Sequence, residues 1–96
     1  MKIIKKITGN CAELRLDGWL DTQAASELDE VIKNIGKDIE NIEFDLKELE
    51  YISSAGVRQV VATFKKMDGH LKIKNTPEKI LSVFRSLGID KKIHFE

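Results

Sequence analysis

The chain has 96 residues, enough for one domain with one modest core. Its 16 basic and 16 acidic residues cancel to a formal net charge of zero, which argues against a concentrated basic face for direct nucleic-acid contact. No apolar run approaches the roughly 18 residues of a membrane span, MKIIKKITGNCAEL lacks the apolar core and cleavage site of a signal peptide, and the lone Cys11 leaves no intrachain disulfide, so a cytoplasmic protein without membrane insertion is expected.

Lys2–Ile7 is a short, β-branched opening strand, and Gly9-Asn10 is a turn signal. From Cys11 to Leu16, Ala12, Leu14 and Leu16 alternate with Glu13 and Arg15, which predicts a strand with one wet face and an antiparallel hairpin with the first. In DTQAASELDEVIKNIG, Ala24, Ala25, Leu28, Val31, Ile32 and Ile35 recur at helical spacing as one buried stripe. Asp21 or Thr22 can cap its start, and Gly36 suits a left-handed stop. Ile42, Phe44 and Leu46 alternate with Glu43 and Asp45 as a third strand.

After the stretch EYISSAGVRQ, Val57, Val60, Val61, Phe64 and Met67 fall at i, i+3, i+4, i+7 and i+10. The valines favour strands, but the spacing is helical and the spacing decides. Asp68-Gly69 ends this helix, and Leu71 and Ile73 alternate with Lys72 and Lys74 as a fourth strand. Thr76-Pro77 opens a last helix, with Pro77 at the first helical position and Ile80, Leu81, Phe84 and Leu87 facing inward before Gly88. Ile93 and Phe95 are expected in a short terminal strand. Strands alternating with helices predict an α/β fold with a mixed, four- to five-stranded sheet and three main helices.

The usual catalytic groups are sparse. His70 lies in a turn, and His94 reads as a solvent-facing strand residue. No Cys-x-x-Cys or His-x-x-x-His spacing is present, so no dedicated metal site is expected. Cys11 reads as a small sheet residue. No phosphate loop is present, and Ser53 and Ser54 lack both the G-x-S-x-G frame and a nearby base. Neither enzyme activity nor a bound cofactor is expected, and Asp29, Glu30, Glu48 and Glu50 read as solvated charges. Trp19, in LDGWLD, has two readings: a partly buried loop aromatic covering the sheet edge, or an exposed anchor for a partner.

The serines at Ser53 and Ser54 fall at the start of the second helix. One of them is a natural N-cap, worth ~1 kcal/mol against Ala. One cap needs one serine, which leaves the second hydroxyl free. Ala55 and Gly56 are small enough to let another protein approach the backbone. A phosphate here, carrying about −1.5 to −2 charges, would meet free backbone N–H groups and the positive end of the helix dipole. Arg58, four residues beyond Ser54, is within one helical turn of it. The added charge would change the corner as a docking surface without requiring a new fold. A plain cap and a binding switch both fit these residues.

Over nearly its whole length the chain resembles a STAS domain of the bacterial anti-sigma factor antagonist type. LRLDGWLDTQAASEL is similar to the family's strand–Gly–x–Leu–Asp–helix pattern at Gly18, Leu20, Asp21 and Ala24. IEFDLKELEYISSAGVRQVV is similar to its Asp-Leu…aromatic-aliphatic-x-Ser-x-Gly corner at Asp45, Leu46, Tyr51, Ile52, Ser54 and Gly56. The resemblance implies one STAS domain over residues 1–96. It also implies a partner that is both an anti-sigma factor and a serine kinase, and a metal-dependent serine phosphatase that resets the switch. ATP and metal would belong to those partners, and transcription would be controlled indirectly.

Three positions depart from the family pattern. Ala55 stands directly before the glycine, Ser53 replaces an acidic residue, and Lys47 follows the Asp-Leu pair where Ser is frequent. Ser54 is then the favoured modified residue, being nearest the glycine and the helix dipole, with Ser53 the alternative. Trp19, Asp21, Ser53, Ser54, Ala55, Gly56 and Arg58 are the expected partner-binding residues. The competing reading is a constitutive STAS scaffold subunit, for example of a lipid-transport complex, with the serines as caps or contacts.

Overall fold

Gly9 and Asn10 turn the chain back on itself in a computed structural model that describes residues 1–96. The strands on either side, β1 (Lys2–Thr8) and β2 (Cys11–Leu20), pair antiparallel from Lys2↔Asp17 to Thr8↔Cys11. Gly9 has φ +60 while Asn10 stays negative, the pattern of a two-residue type II′ turn whose twist suits a hairpin. β2 continues four residues beyond the alternating stretch that predicts it. Its register shifts between Gly18 and Trp19, where Gly18 takes φ +101.

This extension gives β2 two parallel neighbours. Cys11–Arg15 lie beside β3 (Asn41–Asp45), and Gly18–Leu20 lie beside β4 (Leu49–Ile52). β4 is absent from the sequence reading because its Leu-Glu-Tyr-Ile pattern, buried only at its two ends, does not alternate. β5 (Leu71–Lys74) pairs parallel with β3, so the sheet order is β1-β2-β3-β5 with β4 against the far end of β2. The expected terminal strand does not form. Ile89–Lys91 make a 3₁₀ turn, and only a single bridge, Ile73↔Phe95, joins the C-terminal segment to the sheet.

The sheet has one apolar face and one charged face. Ala12, Leu14, Leu16, Ile42, Phe44, Leu71 and Ile73 are buried. Their neighbours in sequence, Glu13, Arg15, Glu43, Asp45, Lys72 and Lys74, share the wet side, where Lys74 bonds Glu43 at 2.7 Å and Glu13 at 3.0 Å. The helices close the apolar face into one cluster of 20 buried apolar residues. α1 (Thr22–Lys33) contributes Ala24, Ala25, Leu28 and Ile32, with Val31 and Ile35 half-buried. α2 (Ser54–Lys66) contributes Val57 and Val60, and its buried Thr63 hydroxyl donates to the Gln59 carbonyl at 2.8 Å.

α3 (Glu78–Ser86) buries Ile80 and Phe84, and Phe95 stacks on Phe84 with ring centroids 4.5 Å apart. Two details of α3 depart from expectation. Pro77 is the N-cap, with extended ψ 146, one residue before the helix begins. Leu87 is 59% exposed because the helix has ended at Ser86 and the chain turns at Gly88, φ +72.

Candidate functional site

Parallel pairing of β2 with β4 ends both strands at one edge of the sheet, and each strand leads directly into a helix. Leu20 closes β2 and Asp21 caps α1; Ile52 closes β4 and Ser53 caps α2. The carboxyl ends of parallel strands are the usual location of binding sites in open α/β sheets.

The Leu20 carbonyl ties the corner together. It accepts the Ser53 backbone N–H at 2.9 Å and the Ser53 hydroxyl at 3.2 Å. The first turn of α2 then lies so close that a Cβ on Gly56 would stand 2.6 Å from the same oxygen. Only a residue without a side chain permits this approach. Ser53 Oγ also accepts the Gly56 N–H at 3.1 Å, so both hydrogen-bonding functions of this hydroxyl are engaged.

Ser54 differs from Ser53. It is the first residue of α2, it is exposed, and its hydroxyl makes no hydrogen bond. The backbone N–H groups of Ser54 and Ala55 have no acceptor, as expected for the first turn of a helix. At the adjoining start of α1, Asp21 Oδ1 accepts the Ala24 N–H at 2.9 Å, while the N–H groups of Thr22 and Gln23 are free. Neither helix has an acidic residue in its first turn. The corner thus presents two helix starts with unsatisfied donors; the Asp21 carboxylate offsets the positive end of α1, while that of α2, capped by the neutral Ser53, has no such anion.

Arg58 is exposed one turn along α2 from Ser54 and forms no ion pair, which leaves its guanidinium available. Thr22, Ala25 and Ser26 of α1 and Ala55, Arg58 and Gln59 of α2 line a shallow groove that leads from the corner. Asp29, read from sequence as a solvated charge, lies in this groove. It accepts from Gln59 at 3.3 Å and pairs with Lys33 at 2.9 Å, and the hydrogen bond from Lys33 holds its carboxyl below the usual range.

Trp19 is not the loop aromatic of the first reading. It is a residue of β2, 57% exposed, and it packs against Tyr51 of β4 with centroids 5.1 Å apart. Tyr51 is itself 44% exposed, so the two rings make an aromatic surface beside the helix starts. Tyr51 matches the aromatic of the corner motif but is not among the expected partner-binding residues; its position directly before Ile52 at a strand end is the signal that it belongs there. Leu20 matches the family pattern in sequence, but its role at the corner is not legible there, because its contribution is a backbone carbonyl. Asp45 has a structural task, with its Oδ1 accepting the Lys47 N–H and the Asn75 side-chain amide, each at 3.1 Å. Cys11 is a half-buried free thiol at the start of β2, and His94 is exposed. No group of His, Cys, Asp and Glu side chains is arranged to hold a metal ion, and no helix is long and apolar enough to cross a membrane.

Comparison with known proteins gives a consistent result. The family model for the STAS domain matches residues 2–96. No curated protein matches in sequence. Among solved structures, the anti-sigma factor antagonist SpoIIAA in its unphosphorylated form is similar with a TM-score of 0.75, at 19% identity over 95% of this chain and 97% of that one. The Bacillus cell fate determinant SpoIIAA in the phosphorylated form gives 0.77 at 19% identity, covering 99% and 91%. An anti-sigma factor antagonist from Mycobacterium paratuberculosis gives 0.85 at 18% identity, covering 98% and 83%. At these identities the likeness shows a shared fold.

Proposed function

The chain belongs to the STAS-domain family, and on that premise we propose that it is an anti-sigma factor antagonist, a binding module whose capture of its partner is switched off by phosphorylation of Ser54. The observation that carries the proposal is the division of labour between the serines. Ser53 is locked between Leu20 and Gly56, whereas the adjacent Ser54 hydroxyl is exposed and unbonded. A kinase can reach Ser54 Oγ without unmaking the corner. A phosphate on Ser53 would break the cap and face the Leu20 carbonyl oxygen, an acceptor that repels it.

The partner is an anti-sigma factor with serine kinase activity, and a metal-dependent serine phosphatase restores the free hydroxyl. The chain itself acts in the cytoplasm by binding, without catalysis and without touching nucleic acid. Trp19, Asp21, Ala55 and Arg58 frame the contact surface around Ser53 and Ser54, whereas Gly56, expected there from its small size, is buried against Leu20 and Ile52 and serves the corner from inside. Trp19 and Tyr51 supply apolar area, and the small residues at the start of α2 let the partner approach the free N–H groups. A dianion in the middle of this neutral, close-fitting contact must be desolvated or expelled, which favours release.

The test is mass spectrometry of the natively expressed chain with and without phosphatase, followed by capture of its partner from the same cells. A phosphate on the Glu50–Arg58 peptide, retained in Ser53→Ala, lost in Ser54→Ala and incompatible with partner capture, is the expected result. Stable association with a transporter ATPase that phosphatase treatment does not change would replace this reading with a constitutive scaffold subunit.

A further inference from the structure

The longest strand of the sheet left unpaired on one side is β1, and its chemistry is specific. The outer edge of β5 is occupied by the C-terminal segment, where Glu96 N–H donates to the Ile73 carbonyl at 2.8 Å and Thr76 N–H to the Glu96 carbonyl at 2.9 Å. β4 is only four residues long and lies beside α3. β1 has seven residues, pairs on one side with β2, and has nothing on the other.

The hairpin determines which backbone groups face outward. A two-residue turn makes Thr8 and Cys11 a mutually hydrogen-bonded pair, and such pairs alternate along the ladder. Lys6, Ile4 and Lys2 therefore bond inward to β2, and Ile3, Lys5 and Ile7 point N–H and C=O to solvent. The other side of β2 agrees, since the carbonyls of Asn10 and Leu20 point toward β3 and β4, accepting from Glu40, Asn41 and Ser53. Side chains follow the same alternation. Ile3, Lys5 and Ile7 share the helix side with their partners Leu16, Leu14 and Ala12, and Lys2, Ile4 and Lys6 share the charged side.

Lys2, Lys5 and Lys6 are exposed and in no ion pair. The acids opposite Lys6 and Lys2 are already engaged, Glu13 by Lys74 and Asp17 by Arg15. Ile7 is 47% and Ile4 39% exposed. A second copy pairing antiparallel about Lys5 would set Ile3 against Ile7 but would also place Lys5 directly on Lys5, a like-charge pair that opposes self-association. An acidic strand has no such conflict.

We propose that the β1 edge is a docking site for an extended segment of another protein, added antiparallel as a sixth strand, with aliphatic residues opposite Ile3 and Ile7 and carboxylates opposite Lys2, Lys5 and Lys6. Outward backbone groups at Ile3, Lys5 and Ile7 supply the hydrogen bonds, and the lysines select an acidic partner. This site lies on a different edge from the helix starts and does not depend on the reading of Ser54.

The probe is the synthetic peptide acetyl-Ile-Glu-Glu-Val-Ile-Glu-amide, titrated into the isotope-labelled whole chain by NMR. The expected result is saturable shifts and slowed hydrogen exchange at the amides of Ile3, Lys5 and Ile7. No comparable change is expected with a peptide carrying Lys at the three Glu positions. Reversing the charges with K2E, K5E and K6E should weaken binding about tenfold or more while reversing the peptide preference. A thermal melt equal to that of the parent shows that the triple variant is folded. No binding, shifts confined to Lys72 and Lys74 on the charged face, or equal binding of both peptides would overturn the proposal. Concentration-dependent protection of the same three amides in the chain alone would also overturn it, in favour of a second copy.

Discussion

Replacing Gly56 with Ala should destabilise the protein although it adds a better helix former. In an ordinary helix interior the change gains about 1 kcal/mol. Here the new Cβ would stand 2.6 Å from the Leu20 carbonyl oxygen and 2.8 Å from both Leu20 Cγ and Ile52 Cγ1. A side-chain tip could swing away, but the carbonyl is held by the Ser53 N–H and hydroxyl at 2.9 and 3.2 Å. Relief of the clash therefore lifts the first turn of α2 and strains the Ser53 cap. Overpacking costs about 1–3 kcal/mol, and loss of a serine cap costs about 1 kcal/mol more. After the propensity gain is subtracted, the net loss is on the order of 1–3 kcal/mol. In a domain of this size that lowers Tm by roughly 5–20 °C. Urea denaturation with an unchanged m value, paired with a thermal melt, measures it. A G56A protein as stable as the parent, or more stable, would refute the claim that the Leu20 carbonyl fixes the position of α2.

Ser53→Ala should cost about 1 kcal/mol in the same urea experiment, whereas Ser54→Ala should stay within about 0.5 kcal/mol of the parent. Equal losses would remove the distinction between the two hydroxyls. Lys74 bonds Glu13 and holds its carboxyl below the usual range. A depressed folded pKa contributes stability above the unfolded value, and that contribution disappears as pH falls through the folded value. Lys74→Met should therefore lose stability at neutral pH and converge toward the parent below about pH 4; a constant difference from pH 7 to 3 would contradict this. Phosphorylation at Ser54 should leave Tm unchanged or raise it slightly at low ionic strength, since a charge at a helix start is worth about 0.3–1 kcal/mol. A clear fall in Tm on modification would count against accommodation of the phosphate at the corner.

Legibility in the sequence followed the length and regularity of each element. β2, β3, β5 and all three helices are legible because period 2 or 3.6 is sustained over several residues, and β1 because β-branched residues precede the Gly9-Asn10 turn. β4 was not legible, because Glu50 and Tyr51 are both exposed and its pairing depends on an extension of β2 beyond Leu16. The same extension moved Trp19 from a presumed loop onto a strand. Ile93 and Phe95 do pack, but against Phe84 and the core, where a single bridge suffices and no ladder forms. At the corner, residue type gave the N-cap and the small approach, and the resemblance directed attention to the serines. Neither could reveal that Leu20 contributes a carbonyl, since a backbone acceptor leaves no trace in composition.

That carbonyl explains how two adjacent serines can divide two demands. Stability at the corner depends on Ser53, Gly56 and Leu20, all directed inward and mutually bonded. Accessibility belongs to Ser54, whose side chain and backbone N–H point away from that arrangement. A single serine would have to leave its cap to be modified, so phosphorylation would loosen α2 and couple signal to unfolding. With two, the proposed phosphate is added where free donors already favour an anion, and its effect would fall on the proposed partner against Trp19, Tyr51 and the helix start. On the proposed reading the switch would work through the interface and leave the fold intact, so the stability and binding responses of Ser53 and Ser54 variants should separate.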